Sequence, residues 1–200
     1  MAGPELLVDP AVSRAKFERE VAAYRVLEDE QLRKGCFLLK AEYPEVFAIF
    51  AAPQLKPPAI VFGVVLDFSN YDLWPPSVRL VHPFTRVPYT GRELPTVLNR
   101  QTPAALPAGL PFQMVGQVVQ VSPLMQFHGP DDVPFLCLPG VREYHEHPGH
   151  TGDSWLLHRG KGEGTLYFLL EKLHTYGVQP LNGYQIGLAI TGFSQDQAPE

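Results

Sequence analysis

Between Cys137 and His158 the chain gathers the side chains most able to do chemistry. Cys137, Glu143, His145, His147, His150, Asp153 and His158 all fall in this stretch, which holds four of the seven histidines. Thiolate, imidazole and carboxylate at this density are the ligand types of a zinc-type site. His145 lies two residues after Glu143 and two before His147, so an extended backbone would turn all three to one face. Pro139 and Gly140 allow a sharp turn that returns the sulfur of Cys137 toward them. Convergence of Cys137, Glu143, His145 and His147 would then close a four-ligand zinc site. His150 or His158 could replace Glu143 or orient a ligand from behind.

Two other chemistries use the same residues. Cys137 could be a nucleophile whose thiolate is favoured by the neighbouring imidazoles; a zinc-ligated sulfur would be a poor acceptor, so the two roles exclude each other. A metal site with three protein ligands and a bound water would instead make a hydrolase, with Glu143 or Glu146 as general base. A plain solvated polar loop would show the same composition.

The elements that must position this loop follow from periodicity. Residues 10–30 are free of proline after Pro10, and Phe17, Val21, Tyr24 and Leu27 recur at helical spacing, which predicts an amphipathic helix. Strands are expected over 36–42, 46–51, 60–68 and 77–81, separated by proline-containing turns. Asn70 to Pro76 must be an extended turn, because residues before proline avoid the helical region. Residues 85–134 hold eight prolines, show little periodicity apart from 114–121, and read as an irregular insertion with one short strand pair. A brief apolar run, 135–138, carries Cys137. Leu166, Leu169, Leu170 and Leu173 share one face of a helix over 165–176, with Gly177 as its expected C-cap. A last strand is expected over 185–193.

Composition narrows the class. The 200 residues are 45% hydrophobic and 18% charged, with a net charge of −5. That is enough apolar material for a core, and it argues against a nucleic-acid surface. The N-terminus has no basic stretch followed by an apolar run, and no window is long and apolar enough to span a bilayer, so no membrane partner is expected. Two cysteines do not make a disulfide framework, and a cytoplasmic chain with reduced thiols is expected, Cys36 being a core residue.

Two resemblances follow from particular motifs. Tyr71-x-x-Trp74-Pro75-Pro76-x-Val78-Arg79-x-x-His82-Pro83, preceded by a helix and three strands, resembles the core of ubiquitin-conjugating (E2-type) domains. Leu136-Cys137-Leu138 fits the family's cysteine context, Trp155 its tryptophan and the helix at 165–176 its crossing helix. Two departures stand out: Phe84 occupies the place of the asparagine that follows His-Pro, and the interval from His82 to Cys137 is far longer than the family's. The Cys137…Glu143…His145…His147 loop, with His150, is similar to the predicted metal-binding CEHH family of bacterial ubiquitin-like gene clusters. His145-x-His147-Pro148 is also similar to the JAMM metalloprotease core, but Leu157 stands three residues after Ser154 where that signature needs aspartate.

The resemblances imply an α+β, E2-like (UBC) fold: an N-terminal helix, a four-stranded antiparallel meander, a cysteine- and histidine-rich loop and a C-terminal helix. Residues 1–193 would form one domain with the insertion at 85–134, and 194–200 a flexible tail. The implied function is that of a zinc-binding E2-like protein of a bacterial ubiquitin-like conjugation system, with a ubiquitin-like protein and an E1-like activating enzyme as partners. The alternative is an active conjugating enzyme with Cys137 as the thioester nucleophile.

Overall fold

The computed structural model describes residues 7–103 and 119–185. Helix α1, Pro10–Arg25, starts where Asp9 accepts the Ala11 N–H at 2.8 Å and Pro10 occupies the first turn. Its buried stripe is Ser13, Phe17, Val21 and Tyr24. The expected single helix breaks after Arg25. A second helix, α2, Glu28–Lys34, follows and ends on Gly35 in the left-handed region at φ +89°. The buried stripe ends at Tyr24: Val26 and Leu27, the latter expected to continue it, are both exposed at the break.

Strands β1 (Cys36–Glu42), β2 (Glu45–Ala52), β3 (Ala59–Asp67) and β4 (Ser77–Val81) form one antiparallel sheet in the order β1-β2-β3-β4. The chain is therefore a mixed α+β protein with a four-stranded antiparallel meander. Val46, Ala48, Phe50, Phe62, Val64, Leu66, Val78 and Leu80 alternate onto one face and are all buried. Against them pack the α1 stripe and the leucines 166, 169, 170 and 173 of the last helix, Leu166–Gly177. Phe50 and Phe62 stack across β2 and β3 with ring centroids 4.9 Å apart. Gly177, expected to cap this helix, is its last residue, and Val178 follows as the cap. A side chain there would run into the Phe62 ring, 2.9 Å from the position of a Cβ, so packing rather than capping explains the glycine.

The proline-rich stretch contributes the expected strand pair: β5 (Asn99–Pro103) pairs with β6 (Val119–Pro123), antiparallel. Of the periodic stretch at 114–121, residues 114–118 lie outside the described residues; of the strand expected over 185–193, only Gln185 lies within them, and the tail at 194–200 is outside as well. β7, Met125–Gln126, then pairs with β8, Phe135–Leu136, which delivers Cys137. Among the described residues, no helix is long and apolar enough to cross a membrane.

Candidate functional site around Cys137 and His150

The turn expected at 70–76 is the platform of the site. Arg142 opens a short helix, α3 (Arg142–Glu146), and its backbone N–H donates to the Pro76 carbonyl at 2.9 Å. Its guanidinium donates to the carbonyls of Ser69 at 2.7 Å and Pro75 at 3.3 Å and lies 3.5 Å from the Asp67 carboxylate. Further along, the Trp155 indole N–H donates to the Asp72 carbonyl at 3.0 Å. Asp72 itself pairs with Lys16 of α1 and with Arg159 at 3.1 Å. Burial resists its ionisation, but the two cations prevail and hold its carboxyl below the usual range.

The extended loop expected at 143–147 is instead helical as far as Glu146. Residues two apart on a helix point roughly 200° away from each other, so Glu143, His145 and His147 do not share a face. The Glu143 carboxylate accepts from the Ser77 hydroxyl of β4. His145 is engaged at both nitrogens: Nε2 accepts the Gly140 N–H at 3.1 Å, so Nδ1 carries the proton and donates to the Asp153 carbonyl at 2.7 Å. Burial lowers its pKa, which keeps the ring neutral. His147 leaves the helix with extended backbone, accepts the Gly149 N–H at 3.1 Å and stacks on Phe135 at 5.1 Å between centroids.

Cys137 and His150 do meet. The sulfur is half-buried, 3.3 Å from His150 Nε2. His150 closes a 3-10 turn begun by Pro148, and its ring stacks on Tyr144 with centroids 3.9 Å apart. Tyr144 donates to the Asp153 carboxylate at 2.6 Å, and Asp153 also bonds His158 Nε2 at 2.6 Å. These two bonds hold the Asp153 carboxyl below its ordinary value, while burial and the bond to Asp153 push the Tyr144 phenol up to about 12. Burial raises the Cys137 thiol; the positive charge of Arg100 works against that rise.

The five expected ligands thus form separate arrangements. Cys137 and His150 touch, His147 stands beside them with its ring 5.7 Å from that of His150, and Glu143 and His145 are held elsewhere. Among the described residues, no three His, Cys, Asp or Glu side chains gather closely enough to hold a metal ion. The structure brings Tyr144, Asp153 and His158 into the site, and the charge of Arg100 is felt at the thiol. Asp153 and His158 were visible in the loop's composition, but Arg100 lies on β5, with no local sequence signal connecting it to Cys137. An open cleft of about 440 Å³ adjoins His150, walled by Trp74, Trp155 and Leu156 and edged by Arg142 and Glu146. His150 is therefore shared between the thiol and the cleft.

Comparison with known proteins places the chain in a family. A protein of Sinorhizobium fredii (strain NBRC 101917 / NGR234) named "Uncharacterized protein y4jH" is 46% identical over 193 residues, spanning 94% of this chain and 93% of its own. The profile of the Y4jH-like family matches residues 8–181, which takes in the sheet, the turn platform, Cys137 and the last helix, and the chain belongs to that family.

Proposed function

We propose that the protein is an E2-like acyl carrier of a bacterial ubiquitin-like conjugation system, in which Cys137 takes the C-terminus of a ubiquitin-like protein as a thioester. The observation that carries this is the Cys137–His150 pair: a half-buried thiol 3.3 Å from an imidazole nitrogen that also edges a cleft. A neighbouring imidazole is the usual means of activating a thiol nucleophile. The order of elements supports the reading too: a helix, a four-stranded meander, the Tyr71…Pro75-Pro76 turn, His82-Pro83, then the cysteine.

The test is charging. The protein is incubated with ATP and the E1-like enzyme and ubiquitin-like protein of its own genome. A thiol-cleavable adduct that is absent from Cys137→Ala is the expected result, and its absence from wild type under conditions where the E1-like enzyme is itself charged would refute the reading. The second reading is a zinc ion on the touching pair Cys137 and His150, with His147 as a third ligand only once its ring leaves Phe135 and turns toward them. Stoichiometric zinc in the purified protein, lost in Cys137→Ala, would establish it in place of the first.

A further inference from the structure

We infer that Tyr144 is a positioning residue for the thiol: its ring fixes the imidazole of His150 against Cys137, and Asp153 and His158 fix that ring in turn. This role rests on the reading above, in which His150 takes the proton of Cys137.

An imidazole that acts as a base needs a further group to orient it. The Nε2 of His150 faces the sulfur at 3.3 Å, and among the described residues no hydrogen bond reaches its Nδ1. What holds the ring is a face. The Tyr144 ring lies against it with centroids 3.9 Å apart and planes 26° apart. The His147 ring, at 5.7 Å and tilted by 52°, is not stacked on it.

Tyr144 is itself held from several sides. It is buried on α3, and His145 meets its ring edge-on at 4.9 Å. Its hydroxyl donates to Asp153 Oδ2 at 2.6 Å, and His158 Nε2 bonds the other oxygen, Oδ1, at 2.6 Å. The backbone N–H of Asp153 donates to the His150 carbonyl at 2.9 Å. Tyr144, Asp153 and His150 thereby close a loop of three contacts: ring on ring, phenol to carboxylate, amide to carbonyl. Burial and the bond to Asp153 push the phenol up to about 12, so near neutral pH it keeps its proton and donates. When the proton of Cys137 passes from Sγ to Nε2, the sulfur becomes negative and the imidazole positive. The face of a tyrosine stabilises a cation lying over it, so the same stack that orients the ring also favours its charged form.

The test needs no conjugation partner. Cys137 in the intact protein is alkylated by iodoacetamide at pH 7.5, and modification is read at that residue by mass mapping so that buried Cys36 does not contribute. Tyr144→Leu, which removes the face, should slow the reaction by about tenfold, as far as the loss of His150 itself. Tyr144→Phe keeps the face and loses the bond to Asp153; Asp153→Ala loses the same bond from the other side. Each should slow the reaction by about threefold. In a His150→Gln background all three changes should alter the rate by less than about twofold, because the residue they act through is gone. A change that merely loosened the fold around the sulfur would alter the rate in both backgrounds. A wild-type rate in folded Tyr144→Leu, equal slowing with and without His150, or a wild-type Cys137 that does not react would overturn the inference. If circular dichroism shows Tyr144→Leu unfolded, Tyr144→Phe and Asp153→Ala decide alone: slowing that disappears in His150→Gln supports the role, and any other result overturns it. A His150→Gln protein that reacts at the wild-type rate would sink both this role and the thiol activation behind the carrier reading. A failed charging assay with the alkylation pattern intact would sink the carrier reading and leave Tyr144 in its role.

Discussion

The imidazole of His145 donates its Nδ1 proton to the carbonyl of Asp153 at 2.7 Å while its Nε2 takes the amide of Gly140 at 3.1 Å. One side chain thus ties the turn after Cys137 to the segment that carries Trp155. Replacing His145 by alanine leaves a donor and an acceptor without their partner and should cost about 1–3 kcal/mol in urea denaturation. The variant should also lose the preferential reactivity of Cys137, because the turn that aims the sulfur is no longer held.

Stability should fall in two windows as the solution is acidified. The pKa values of His145 and His174 are lowered by burial, so the unfolded chain binds protons more readily than the native one. Their contribution is present above the ordinary histidine pKa of about 6.5 and is lost as pH falls below it. Asp72 and Asp153 have lowered carboxyl pKa values, and their contribution persists to more acid pH, fading below about 4. Denaturation midpoints from pH 8 to pH 3 test the order. His174→Gln should flatten the first window and leave the second, whereas a flat profile between pH 8 and pH 5 would contradict the assignment.

Gly140→Ala should be among the most damaging single changes. The residue sits at φ +91°, and a Cβ there would lie 2.4 Å from the backbone nitrogen of Gly164. Both backbone strain and contact with main chain oppose it, so a loss of about 2–4 kcal/mol is expected. Thermal unfolding followed by circular dichroism measures it, and a melting temperature equal to that of wild type would refute the account.

Asp72 joins α1 to the 155–159 segment through Lys16, Arg159 and the indole of Trp155. Asp72→Ala should cost about 1–2 kcal/mol, since it leaves two cations without their counter-charge. In a double-mutant cycle with Arg159→Ala the costs should fall short of additive, because both changes remove the same bond.

His150→Gln should slow iodoacetamide alkylation of Cys137 at pH 7.5 on the order of tenfold, by removing the imidazole that takes the thiol proton. Circular dichroism on the same sample separates this from a loss of fold. An unchanged rate in a folded variant would mean that the 3.3 Å contact does not activate the sulfur.

Much of the framework is written in local pattern. Phe17, Val21 and Tyr24 recur at helical spacing, Val46 to Ala52 is a short unbroken apolar run, and the leucines from 166 to 173 form one stripe; each pattern is read by the element that contains it. The reactive residue types clustered from Cys137 to His158 were equally plain. Which of them meet was not. Glu143 is drawn away by Ser77, a residue of β4, and His145 is held by Gly140 and Asp153. His150 reaches the sulfur only because Pro148 starts a new turn, and the charge of Arg100 is felt at the thiol from a hairpin with no sequence proximity to Cys137. Residue types and periodicities are properties of neighbours along the chain and can be read from them. The partner that a polar side chain finds depends on donors and acceptors that only folding brings near, and in this protein those non-local partners separated one apparent ligand cluster into a thiol–imidazole pair and its supports.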